Sequence, residues 1–285
     1  MTALRTRMDN DMILRGMADR TREAYIAAVA RLARFYGRSP EHLGDREVQA
    51  YLLHMIREEK LAWSTCNITA NALRFLYHTT LGRARTQFCI PVAKQPATLP
   101  AILGPEEVRR LIEHAATRKH RALLVTTYAA GLRVSEVVRL KLGDIDAARR
   151  SLRVEQGKGA KDRYTLCSGR LVEELRAYWR VYRPSLWLFP ARGGQRPMDP
   201  STAQKIYYAA KGRAVITKRG GIHALRHAFA THLLEAGTDL HSIQRLLGHG
   251  HIGSTMRYLH LAQKTLLAPA SPLDLLDLPT PPPHA

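Results

Sequence analysis

The chain has 285 residues, 45% of them hydrophobic, which is enough for two domains with a core each. Forty-four Lys and Arg against 24 Asp and Glu leave a formal charge of +20, a balance that fits a polyanion such as nucleic acid as partner. The basic residues run along the whole chain and no apolar run approaches the roughly 20 residues of a bilayer span, so no membrane partner is expected and the protein reads as soluble.

The opening MTALRTRMDNDM carries charges where a secretory signal needs its apolar stretch, so export by that route is not expected. In 21–36, Tyr25, Val29, Leu32 and Tyr36 form the stripe of an amphipathic helix that Gly37 ends. Helices are predicted again over 45–59, with Val48, Leu52, Met55 and Ile56 on one face, and over 64–81, with Ile68, Ala72, Phe75 and Leu76. These make a small helical domain over 1–93. Its last helix offers Thr65, Asn67, Asn71 and Arg74 to phosphates or base edges, although any solvated helix face has the same composition.

Residues 94–100 continue a stretch with three prolines, IPVAKQPATLP, that reads as a linker. A second domain, 101–268, opens with Pro105, Glu106 and Glu107, a good helix start. Residues 121–142 read as helix broken at Gly131. SLRVEQ and RYTLCS then alternate as strands around GKGAKD, a hairpin with a basic, glycine-bearing turn. Helices return over 171–187, 201–213 and 223–236. The fold class is therefore mainly α with a small β-sheet. The Pro-rich tail 269–285, with its LDLLDL, is expected to dock on the chain's own body or on a neighbouring subunit.

No phosphate-binding GxxxxGK[ST] loop and no G-x-G-x-x-G after a strand are present, so neither ATP nor NAD is expected as cofactor. HALRH sets His223 and His227 at i and i+4, but Ala224 stands where a zinc-protease helix has its glutamate, and few carboxylates lie near, so no metal is expected. Cys66, Cys89 and Cys167 include no CxxC pair and read as buried free thiols of a reducing cytoplasm. What remains is cationic chemistry in four stretches. In AAGLRVSEVVRL, Arg133 and Glu136 could simply pair on a helix surface, worth roughly 0.2–0.5 kcal/mol. In GKGAKDR, Lys158 lies between glycines and, taken alone, is an ordinary solvated turn lysine. His223 and Arg226 project together from HALRHAFATHLLEAG, and LLGHGHIGSTMRYLH holds His249 and Tyr258, the latter readable as a core tyrosine.

Together these four stretches resemble the tyrosine recombinase, or phage integrase, family, with wording nearest its Xer-type members. GLRVSE, GKGxKxR, HxLRHxFATHLLExG and LLGHxxxxxTxxY occur in the family's order and spacing. Gly220 and Gly221 before His223, and GHI before Gly253, are local departures between the motif positions. The resemblance implies an N-terminal helical, SAM-like core-binding domain and a catalytic domain clamped around duplex DNA. It implies Arg133 and Arg226 as the catalytic arginine pair, Lys158 as the turn lysine, His223 and His249 as the histidines and Tyr258 as nucleophile, with Lys161 and Arg163 facing phosphates.

Physical chemistry suits those roles. Attack on a phosphodiester builds negative charge, which preorganised cations stabilise, and arginine forks bind phosphate oxygens in pairs. A phenol of pKa about 10 must lose its proton to attack, with help from an imidazole such as His249. The expelled 5'-hydroxyl needs a proton, for which Lys158 is the candidate acid.

Expected partners are double-stranded DNA with a specific core site and further copies of the chain, a dimer per site and a tetramer on two sites, with a related recombinase or accessory protein as a further candidate. The setting is the cytoplasm, at the nucleoid, and the absence of room for an arm-site domain before the first helix points to simple core sites. A relaxing enzyme like type IB topoisomerases and a non-catalytic DNA-binding regulator on the same scaffold are the rivals. Retention of all six catalytic positions disfavours the second.

Overall fold

The computed structural model describes residues 2–84, 89–90, 101–155, 162–249, 253–256 and 258. The chain divides into two compact units, Met1–Thr98 and Leu99–Ala285. The expected linker and the tail after 268 lie outside the described residues.

The first unit is helical: α1 (Ala3–Leu14), α2 (Asp19–Tyr36), α3 (Asp45–Arg57) and α4 (Trp63–Arg74), whose last turn widens into a π-helical stretch, Phe75–Thr80. Helix α2 stops at Gly37 in the left-handed region, the position where a missing Cβ costs nothing. It packs on α4, and α3 packs on α4 as well. Helix α1, not predicted from the sequence, buries Met8 and Met12, one turn apart, with Leu4 a turn earlier packed on the same core. Of the predicted faces, Val48, Leu52, Met55, Ala72 and Leu76 are buried. Ile56 and Ile68 are exposed, while Tyr51, Cys66 and Leu73 take the interior.

The second unit holds α5 (Pro105–Glu113), α6 (Arg118–Ala129), α7 (Val134–Val138), α8 (Gly169–Tyr182), α9 (Pro200–Arg213), α10 (His223–Glu235), α11 (Leu240–Leu247) and the single turn α12 (Gly253–Met256). The starts are chemically marked. Glu107 accepts the Gly104 N–H at 2.7 Å, Thr117 that of His120 at 3.1 Å, and Asp239 that of Ser242 at 2.9 Å. Each satisfies a backbone donor that a helix start leaves without an intrahelical acceptor. The predicted helix over 171–187 ends earlier, at Tyr182, because Arg183 turns left-handed ahead of Pro184.

The hairpin forms as β2 (Ser151–Val154) and β3 (Arg163–Leu166), antiparallel with Leu152 opposite Thr165. A two-residue β1 (Ile145–Asp146), too short to show a pattern, pairs on the outer side of β2. Helix α6 lies against α8 and α10, α10 against α11, and α11 against β3. Leu123, Leu152, Phe189, Tyr207 and Leu225 are among the fully enclosed core residues. Each large apolar side chain so buried contributes about 1.5–3 kcal/mol. Cys66 and Cys167 are buried free thiols as expected, whereas Cys89 is exposed.

Among the described residues no helix is long and apolar enough to cross a membrane, and no three His, Cys, Asp or Glu side chains gather as metal ligands.

Candidate active site

The break at Gly131 shapes the floor of the site. Its φ is +60°, and a Cβ there would stand 2.3 Å from the Phe229 ring of α10, so only glycine lets the chain pass. Two residues on, Arg133 caps α7. Its backbone N–H donates to Glu136 Oε2 at 2.8 Å and its guanidinium Nη1 donates to Oε1 at 2.7 Å. The pair is no loose surface bridge, because Glu136 is buried.

Glu136 is the anion around which three arginines assemble. Arg163, reaching from β3, donates to it with both arms, Nη1 to Oε1 and Nη2 to Oε2, each at 2.8 Å. Arg226 Nη1 lies 3.6 Å from Oε2. Burial alone would raise the carboxyl. The Arg163 hydrogen bonds and charge, the Arg133 N–H and the Arg226 charge overcome it and hold Glu136 at about 2. Arg226 is only 1% exposed. Burial and the charge of Arg133 push it down to about 9, with Glu136 pulling it back up, Arg163 pushing it lower and Tyr258 steadying its charge, so it stays protonated at neutral pH. Three guanidiniums around one carboxylate leave an excess of positive charge, the electrostatics of an anion site.

The arginines are anchored by a helix end. Helix α11 closes on Gly248 in the left-handed region, with Gly248 N–H donating to Arg245 O and His249 N–H to Gln244 O, a Schellman closure. The carbonyls that closure leaves are taken by arginines. Leu246 O accepts Arg163 Nε at 2.9 Å and Leu247 O accepts Arg226 Nη2 at 2.7 Å, while Arg226 Nη1 donates to Gly131 O at 2.7 Å. Cations there also meet the negative end of the helix dipole.

From this end the chain enters the tyrosine segment. His249 Nδ1 lies 2.8 Å from Thr255 Oγ1, and Tyr258 N–H donates to Thr255 O at 2.9 Å. The Tyr258 ring packs with Phe229, Leu234, Ile243 and Leu247, so it is a core tyrosine. Its oxygen has another role, for it lies 3.1 Å from Nδ1 of His227. The His249 ring runs parallel to the Tyr258 ring, 6.4 Å between centroids. The His223 ring meets the His227 ring edge-on at 4.7 Å, and His223 is exposed.

The structure thus brings Arg133, Arg226, His223, His249 and Tyr258 into one part of the second unit. Lys158 and Lys161 lie outside the described residues. Arg163, which the resemblance sets facing phosphates, has its fork committed to Glu136 and its Nε to the end of α11. In the first unit Thr65 and Asn67 are half-buried on α4. Asn71 accepts from Arg74 Nη1 at 2.7 Å, and Arg74 Nε donates to Ile90 O at 3.2 Å, so this pair ties its own unit together. His227 is the site residue that sequence reasoning passed over, weighing it only as a metal ligand. Its place one turn after His223 was the available signal.

Comparison with known proteins agrees with this architecture. The phage integrase family matches residues 101–265, and the phage integrase N-terminal SAM-like domain matches residues 4–87. A Sinorhizobium fredii chain carrying the provisional name integrase/recombinase y4qK is 43% identical over 286 residues, covering 99% of this chain and 93% of its own length. Tyrosine recombinase XerC of Pelotomaculum thermopropionicum is 34% identical over 247 residues, 80% of each chain. Among solved structures, a XerA recombinase superposes with a TM-score of 0.55 at 25% identity over 93% of this chain and 95% of that one. A lambda integrase (75–356) dimer bound to a COC' core site shares the fold at TM-score 0.73 and 18% identity, over 88% of this chain and 96% of that one.

Two helical units, the larger gathering arginines, histidines and a tyrosine, define a class of DNA strand-transferring enzyme. The chain belongs to the phage integrase family, the tyrosine recombinases, with Xer-type relatives.

Proposed function

We propose that the protein is a site-specific DNA recombinase that cuts and rejoins strands through a 3'-phosphotyrosine at Tyr258. Arg133 and Arg226 hold the scissile phosphate and stabilise the charge of its five-coordinate transition state. Tyr258 Oη bonds to phosphorus as the 5' oxygen leaves. Lys158 protonates that oxygen, and His223 and His249 complete the phosphate's surroundings. Because the covalent intermediate conserves the bond energy, a 5'-hydroxyl from another strand can reverse the step, and strand exchange results. Arg163 serves as a positioning residue beneath the arginine pair, and Lys161 contacts a phosphate nearby.

The observation that supports this reading best is the single carboxylate, Glu136, that draws Arg133 and Arg226 together while Arg226 is bonded to the helix end leading to Tyr258. On that reading residues 1–93 bind the core site, 94–100 link, 101–268 catalyse and 269–285 dock on a neighbour. Two copies occupy each site and four assemble on two sites, in the cytoplasm at the nucleoid.

The test uses a duplex core site, found near the gene or by selection, nicked so that the 5'-hydroxyl fragment diffuses away. A covalent protein–DNA band without added metal, absent in Tyr258→Phe, is the expected result. Tight binding with no band from the unaltered protein would overturn it in favour of a non-catalytic DNA-binding role.

A further inference from the structure

Resting on that reaction, we infer that His227 is the group that takes the proton of the nucleophile. The motif resemblance directs attention to His223 and His249, and the imidazole expected beside the phenol was that of His249. In the structure Nδ1 of His227 lies 3.1 Å from Tyr258 Oη, within hydrogen-bond distance. His249 meets the same tyrosine by its ring, parallel at 6.4 Å, with its own Nδ1 at 2.8 Å from Thr255 Oγ1.

With the imidazole in the tautomer that carries its proton on Nε2, His227 Nδ1 accepts from the Tyr258 hydroxyl. That is the arrangement a general base needs before the reaction begins: the acceptor within reach of the proton it removes. Helix α10 supplies the rigidity. His227 is flanked on it by Arg226, whose guanidinium is bonded to Gly131 O and Leu247 O, and by the buried Ala228 and Phe229, of which Phe229 also packs with Tyr258. The base, one phosphate-binding arginine and part of the nucleophile's packing thus come from one turn of a single helix, Arg226, His227 and Phe229.

The step balances without an outside reagent. Tyr258 Oη forms its bond to phosphorus as the Oη–H proton passes to His227 Nδ1, giving an imidazolium. The bond from phosphorus to the 5' oxygen breaks, and that oxygen takes a proton from Lys158. Rejoining runs the sequence backwards, with His227 returning the proton to the phenol. His223, exposed and edge-on to His227 at 4.7 Å, is placed to meet the phosphate, so the two histidines of HALRH divide the work.

Single-turnover cleavage of the nicked duplex tests this in the full-length protein. In His227→Asn an amide can still accept the phenol's hydrogen bond but cannot take its proton. The cleavage rate should fall about 100-fold, within the range a general base supplies, with DNA affinity unchanged. A substrate whose leaving oxygen is replaced by sulfur needs no general acid, so it should rescue Lys158→Ala and leave His227→Asn slow. Added imidazole should speed His227→Gly. A His227→Asn rate within about threefold of the unaltered protein, far short of a general base's contribution, or its rescue by the sulfur substrate, would overturn the assignment while leaving the recombinase reading intact. Absence of adduct from the unaltered protein would instead remove the recombinase reading, and this one with it.

Discussion

Glu136 and Arg163 face each other fork to fork, two parallel hydrogen bonds of 2.8 Å between a carboxylate and a guanidinium that are both largely withdrawn from water. Such a pair is strong in geometry and costly to break, since removal of one partner strands the other's charge. It is also the hub of the site, because the same carboxylate fixes Arg133 and borders Arg226.

Acid should therefore weaken the fold in a defined window. Glu136 drops from an ordinary 4.5 to about 2 on folding. A depressed carboxyl contributes stability that is fully present above pH 4.5 and is lost as pH falls towards 2. The contribution at neutral pH is about 3 kcal/mol. Glu136→Gln should lose roughly that amount in a denaturant titration at pH 7, and its stability should change less than the unaltered protein's between pH 4.5 and 2. Equal pH profiles for the two proteins would contradict the assignment.

Arg226→Lys keeps the charge but cannot span Gly131 O and Leu247 O with a fixed fork. Cleavage of a nicked site should drop about 100- to 1,000-fold, the loss typical of one transition-state donor, while DNA binding changes little. Gel-shift and adduct assays on the same preparation separate the two effects.

Gly131→Ala should damage stability and catalysis together. The new methyl would meet the Phe229 ring, and the left-handed backbone resists a Cβ as well. About 1–3 kcal/mol is expected from the backbone alone, read as a lower melting temperature. Adding Phe229→Leu should relieve the clash only in part, since the strain at φ +60° remains.

Arg74→Ala should act on its own unit and not on DNA. With the bonds to Asn71 and Ile90 O lost, the N-terminal unit should be less stable by about 1–3 kcal/mol, each hydrogen bond contributing about 0.5–1.5 kcal/mol. The slope of log affinity against log salt should stay unchanged, whereas loss of a true phosphate contact lowers it by about 0.9.

Sequence reasoning reads well where a local pattern carries the structure. The alternation of SLRV and RYTL, the Gly131 break and the Pro105 helix start all reappear, because strand pairing, a left-handed turn and a helix start are decided by a few adjacent residues. It fails where the decision belongs to distant parts of the chain. Helix α1 carries only a narrow row, Leu4, Met8 and Met12, among charged residues, and is held by that row against its neighbours. Arg163 reads as a phosphate-facing cation next to a basic turn, yet its partners here lie 27 and 83 residues away. His227 shows the same limit at the site: its spacing from His223 is visible, but its hydrogen bond to Tyr258 joins residues 31 apart.

The turn at Gly248 adds a constraint on how such a chain could be rebuilt. A Cβ at that position would lie 2.6 Å from the Arg163 side chain, so strand β3 and the end of α11 occupy space that neither can yield separately. Chimeras that exchange the hairpin with a relative, or the last helices with another, inherit half of a fitted joint. Working hybrids should be those in which the hairpin and the turn before the nucleophile travel as a matched set.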